Sequence, residues 1–217
     1  SSGPRTKLGL ASPSDRIIAV GEPMQVAVGF WGALTCRAGW IASDEKDLPQ
    51  AVGDYVERLA GPYFDCAAEW YEMVGIGVSG GAIDAMVKSR LGDPFFGVAL
   101  NPGHLIHLDE WMNTPIFPGS TETLRSGQAI QLDIIPATGT DYATANVEDG
   151  IALLDKPGRD AFRDKYPEAW LRIESRRAFL AETLGIRLKP EVLPFSNLAG
   201  CLAPFLLAPE RVFARRK

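Results

Sequence analysis

Both histidines of the 217-residue chain fall in one short segment, Asn101-Pro102-Gly103-His104-Leu105-Ile106-His107-Leu108-Asp109-Glu110-Trp111. Imidazole is the commonest transition-metal ligand and the usual proton shuttle near neutral pH, so a strand-end histidine beside carboxylates raises a functional question. The bland alternative is a hydrogen-bonded structural histidine. Alternation along a strand puts His104 and Ile106 on one side and Leu105 and His107 on the other, so the two rings need not share a site. His104 is the stronger candidate.

Two carboxylates complete the chemistry. Asp133 sits in the otherwise apolar run Ala129-Ile130-Gln131-Leu132-Asp133-Ile134-Ile135-Pro136, where a solvated acid is out of place. It must be paired, protonated or bound to a cation. Glu148 and Asp149 follow Asn146-Val147 and precede Gly150-Ile151-Ala152-Leu153-Leu154. Taken alone, that acidic pair reads as an ordinary turn. One histidine and two carboxylates from three strands would form a mixed nitrogen and oxygen site for Mn, Fe, Co or Zn, provided that they converge.

The elements that must position these groups follow from pattern. Residues 24–30 read as a buried strand, paired across Trp31-Gly32 with residues 33–41 as a hairpin. Over residues 48–74, Val52, Val56, Leu59, Tyr63, Cys66, Trp70, Tyr71 and Val74 recur at helical spacing, and Pro62 predicts a break or kink. Ser79 caps a helix that runs to Leu91, and Gly92 ends it. Strands are expected over residues 95–100, 129–136 and 146–153, and a long helix over residues 160–184. No internal repeat is visible.

Composition excludes several classes. The net charge of −5, with basic residues scattered among acids, gives no stripe to follow a phosphate backbone, so nucleic acid is not an expected partner. Cys36, Cys66 and Cys201 match no zinc-ligand spacing and read as reduced packing residues of a cytoplasmic protein. The apolar stretch over residues 193–207 is interrupted by Pro194, Gly200 and Pro204, too short for a membrane span and better suited to a buried or interface segment. Trp31, Trp40, Trp70, Trp111 and Trp170 read as core or interface anchors. Arg176-Arg177 and Arg215-Arg216-Lys217 read as solvated ends. The opening Ser1-Ser2-Gly3-Pro4-Arg5-Thr6 has neither a starting Met nor a signal peptide's order, which suggests a fragment or a tag scar.

The order of segments resembles the superfamily of creatinase, prolidase, aminopeptidase P and methionine aminopeptidase (peptidase family M24), as a divergent catalytic domain. Gly103-His104 resembles that family's Gly-His ligand motif. Gly127-Gln128-Ala129-Ile130-Gln131-Leu132-Asp133 resembles its Gly-Met-Val-Phe-Thr-Ile-Glu strand with Asp for Glu. Asn146-Val147-Glu148-Asp149 resembles its Arg-Ile-Glu-Asp strand. The match spans residues 12–154. The resemblance implies an α+β pita-bread fold, a curved, mostly antiparallel sheet with covering helices. Residues 1–157 would form the catalytic-like domain and 158–217 a C-terminal helical extension packed on it. The N-terminal domain of larger relatives would be absent or upstream. It also implies His104, Asp133 and Glu148 as metal ligands and a homodimer.

This sequence departs from the family's pattern at five further places. The two metal-binding aspartates of the hairpin are replaced by Ala27 and Ala38, and alanine coordinates nothing. A later family histidine falls on Trp111, and an upstream one is missing around residues 10–13. His107 stands where a glycine is usual and is the candidate substitute base or ligand. Three readings follow. His104, Asp133 and Glu148 hold one divalent transition metal (Mn, Co, Fe or Zn) in a hydrolase acting on an amide or other C–N bond of a peptide or small molecule. Alternatively, no cofactor is used and the chain is a creatinase-like enzyme with His104 as general base. In the third reading the fold only binds.

Overall fold

The computed structural model describes residues 1–8, 11–30, 33–107 and 109–216. In chain order the elements are β1 (Pro23–Phe30), β2 (Ala33–Trp40), α1 (Gly61–Met73), α2 (Gly80–Leu91), β3 (His104–Leu105), β4 (Ala129–Asp133), β5 (Asn146–Leu153), α3 (Lys156–Lys165), α4 (Pro167–Glu182) and β6 (Val192–Pro194). The strands form one sheet in the order β1-β2-β5-β4-β3, and β6 also pairs with β5. Every pairing between these strands is antiparallel. β5 is the hub: β4 runs along one edge, while β2 at Cys36 to Ala38 and β6 share the other.

The expected hairpin is present, with register from Pro23 opposite Trp40 to Phe30 opposite Ala33. Its turn, Trp31-Gly32, lies outside the described residues. β5 coincides with the strand read from sequence over residues 146–153. Directly paired residues project to the same side of a sheet. The registers therefore put Ala27, Cys36, Ala38, Glu148, Asp133, Gln131 and His104 on one face. Ile130, Leu132, Val147, Ile151 and Leu153 take the other, in the core that contains Trp70 and Tyr71 of α1 and Ile83 and Val87 of α2. One face is thus largely apolar and packed on helices, with Arg37 and Asp149 as its polar exceptions, and the other carries the triad.

Pro62 does not break the run before it. A π-helical turn, Val56–Ala60, leads directly into α1, whose first turn holds Pro62. Proline lacks an N–H and its ring crowds the carbonyl four residues back. The wider turn relieves that crowding, and Gly61 N–H donates to Val56 O instead. α2 starts as expected: Ser79 Oγ accepts the Ala82 N–H at 3.3 Å, and Gly92 follows its last residue.

Four expectations are corrected. Residues 95–100 form no strand, because the Asp93-Pro94 turn intervenes: Phe96 N–H donates to Asp93 O and Gly97 N–H to Pro94 O. Gly97 has φ +59°, and a Cβ there would lie 2.2 Å from Ala137 O, a conformation reserved for glycine. The strand expected over residues 129–136 stops at Asp133. Beyond it the Tyr63 hydroxyl accepts the Val147 N–H at 2.8 Å, replacing a ladder partner. The long helix expected over residues 160–184 is two helices, since Pro167 pushes Tyr166 out of helical conformation, to φ −133°, ψ 60°. Finally, Arg177 is no solvated end. Its guanidinium donates to Val192 O and to Lys189 O, tying α4 to the start of β6.

The chain after α4 returns to the sheet. Besides β6, Trp40 N–H donates to Pro204 O at 2.9 Å, and Leu206 N–H to Trp40 O at 2.8 Å. Leu193, Leu202 and Phe205 are buried, whereas Leu198 and Leu207 are exposed. Among the described residues no helix is long and apolar enough to cross a membrane.

Candidate metal centre

β3 sets His104 opposite Gln131, and the end of β4 sets Asp133 opposite Glu148 on β5. Two strand pairings therefore bring together the three groups singled out from sequence. All three are buried, and each offers one ligand atom lying within 4.8 Å of the others. Imidazole and carboxylate ligands bind a transition metal at about 2.0–2.2 Å, so two ligands of one ion lie up to about 4.4 Å apart. The observed spacing needs only small side-chain rotations to meet that limit.

The imidazole is oriented as a ligand would be. His104 Nδ1 lies 2.9 Å from Leu105 O, and a proton on Nδ1 donating to that carbonyl leaves the lone pair on Nε2. Nε2 is 3.5 Å from Asp133 Oδ2. Asp133 Oδ1 is buried and accepts no hydrogen bond among the described residues, an expensive state for a carboxylate oxygen. Glu148 Oε1 accepts a hydrogen bond from Gln131 Nε2, and Gln131 Oε1 accepts the Leu34 N–H at 3.2 Å. Two buried carboxylates at this range need a cation or a shared proton between them. The N,O,O donor set suits Mn, Fe, Co or Zn. These residues fit a divalent cation.

His107 is not brought into this cluster. Its side chain is 53% exposed, with Nδ1 3.2 Å from Asp109 Oδ2, because the chain leaves the sheet after Leu105. Asp149, adjacent to Glu148, points to the opposite face. There it pairs with Arg37 Nη2 at 2.9 Å and accepts the Gly200 N–H at 3.0 Å. Burial pushes its carboxyl up to about 6, against the pull of Arg37. Sequence reasoning did not single out Gln131 or this Arg37–Asp149 pair. Strand alternation through Glu148-Asp149 was the available signal for the second.

Ala27 and Ala38 lie on the face of the triad and bring no oxygen to it. Cys36, opposite Glu148, is a free buried thiol, as are Cys66 and Cys201. Clefts of about 470 and 400 Å³ open near β1 and α4, and His104, Asp133 and Glu148 line neither.

No protein-family model matches the chain, and no curated protein does. Solved structures do. The chain is similar to an Xaa-Pro dipeptidase from Bacillus anthracis, with 18% identity and a TM-score of 0.57, over 73% of this chain and 43% of that one. A prolidase from Thermococcus sibiricus gives 20% identity and a TM-score of 0.57, over 72% and 42%. An X-Pro aminopeptidase from Thermotoga maritima MSB8 gives 15% and 0.55, over 72% and 44%. The chain thus has the pita-bread fold of these peptidases and spans less than half of each one's length.

Proposed function

We propose that the chain is a divergent hydrolase that cleaves an amide or other C–N bond of a peptide or small molecule with a single divalent metal held by His104, Asp133 and Glu148. The observation that carries this reading is the enclosed N,O,O cluster, with His104 Nε2 presented by the Nδ1 contact to Leu105 O. The Xaa-Pro cleavage named for the structural neighbours supplies the first substrates to assay. A bound divalent ion would polarise a carbonyl and lower the pKa of a water. The protein's own part is to hold the ligands rigid, keep bulk water away from them and supply two negative charges that fix the ion.

The proposal includes a homodimer in solution, which sedimentation velocity would check. It is tested by elemental analysis of the purified wild type and His104→Ala. About one transition-metal ion per chain, lost in the variant, together with chelator-sensitive cleavage of Xaa-Pro dipeptides, is the expected result. Absence of metal from both proteins, after incubation with Mn, Co, Fe or Zn, would overturn it.

A second reading is favoured by one feature: neither the cleft near β1 nor the one near α4 reaches the buried triad. Here the ion is a structural tie joining β3, β4 and β5, and the fold only binds. This reading expects metal to raise the melting temperature while the loaded protein cleaves nothing in the same panel.

A further inference from the structure

Gln131 neighbours each member of the triad. It is the cross-strand neighbour of His104, it precedes Asp133 by two positions on the same strand face, and its Nε2 donates to Glu148 Oε1. It is fully buried. Both ends of its carboxamide are used, because Oε1 accepts the Leu34 N–H at the start of β2. An amide fixed at both ends cannot rotate without breaking a buried hydrogen bond, so the Glu148 oxygen that it holds is fixed too.

We infer that Gln131 is the positioning residue of the triad, holding Glu148 as a one-oxygen ligand with its second oxygen turned toward the cation. This rests on the metal reading given above. A carboxylate can bind a cation through one oxygen or both. An N–H donor on Oε1 competes for the lone pair that two-oxygen binding needs and so selects the one-oxygen mode. Among the described residues, Asp133 is the only other carboxylate that the strand registers place on this face. The residues paired across β1, β2, β4 and β5 here include Gln25, Ala27, Cys36, Ala38, Asn146, Gly150 and Ala129. How Glu148 is held therefore sets its share of the ion's coordination number. Hydrogen-bonded partners of metal ligands tune affinity in this way, and their loss weakens binding by about 10–100-fold.

The experiment is Co²⁺ titration, followed by visible absorption and calorimetry, of wild type, Gln131→Met and Gln131→Leu. Methionine keeps the length and bulk of glutamine but donates nothing. Leucine also removes the donor without adding a charge or a ligand, and it serves where the methionine variant does not fold. Circular dichroism of the metal-free proteins establishes folding in each case. Wild type is expected to bind one Co²⁺ with the intense visible bands of a low coordination number. Either folded variant is expected to show weaker bands as Glu148 closes onto the ion with both oxygens, and Gln131→Met to bind about 10–100-fold more weakly. A merely structural glutamine would move the melting temperature and leave the cobalt spectrum alone. Wild-type spectrum and affinity in a folded variant would overturn the inference and leave the metal site standing. No Co²⁺ binding by wild type would overturn both.

Discussion

His104 and His107 belong to the same short segment, yet one ring is buried against two carboxylates and the other is half exposed beside Asp109. Replacing the exposed ring should do little. His107→Ala is expected to keep its metal content and to change stability by no more than about 0.5 kcal/mol, as read from urea unfolding and elemental analysis. The buried thiols lead to a pH-dependent prediction. Burial pushes the Cys66 thiol up to about 12, well above the ordinary thiol range, so the folded state disfavours its thiolate. Its contribution to stability is fully present below pH 9 and is lost as pH rises from 9 toward 12. Iodoacetamide at pH 8 should therefore label Cys66 in urea and spare it in the native protein. Labelling at the unfolded rate would contradict the burial. Asp133 and His104 were legible at this scale, because an acid in an apolar strand and a histidine at a strand end are both chemically anomalous, whereas Glu148 read alone as part of a turn and entered through the resemblance.

Elements end where a side chain or a proline intervenes. β4 gives way to Tyr63, whose hydroxyl takes the Val147 N–H and lies 3.0 Å from Val147 O. Tyr63→Phe leaves both backbone groups buried without that partner, and the expected cost is about 1–3 kcal/mol by urea unfolding. On β5, Gly150 lies against the Phe195 ring, and an added Cβ would stand 2.3 Å from it. Gly150→Ala should therefore displace residues 195–196 from the sheet edge. Faster amide exchange at Phe195 and Ser196, which both donate to Gly150 O, is the expected sign, and unchanged protection would count against it. Periodicity located α1, and the cap at Ser79 with the stop at Gly92 located α2. It missed the split at Pro167 because the apolar pattern runs on through the break.

At the scale of the molecule, the chain after α4 holds the sheet closed. β6 pairs with β5, residues 204–206 bracket Trp40, and Gly200 N–H meets the buried Asp149, itself paired with Arg37. Breaking a buried ion pair from one side leaves an uncompensated charge, at a cost of about 3–5 kcal/mol. Arg37→Met is expected to destabilise by that order in urea, well beyond a surface substitution. Deleting residues 190–217 should yield a chain without a cooperative thermal transition, because it exposes the β5 edge and the buried Trp40 together. A cooperative melt of the truncated chain would show that the remaining sheet stands alone.

Sequence alone determined the hairpin, β5, the capped α2 and two of the clustered residues, His104 and Asp133, because each depends on local alternation, a capping side chain or a group too polar for its neighbours. It also sorted the fold, through the resemblance carried by Gly103-His104 and the strands that end in Asp133 and Asn146-Val147-Glu148-Asp149. Only the tertiary structure decided which carboxylates meet His104, since register sends Glu148 to one face and Asp149 to the other. Gln131 is silent in sequence: an amide in a strand gains meaning only from the partners that two other strands bring to it. The same holds for Tyr63 and Arg177, whose polar ends bond to backbone 84 and 15 residues away. Contacts at that separation leave no trace in local pattern, because they depend on how the strands and helices pack.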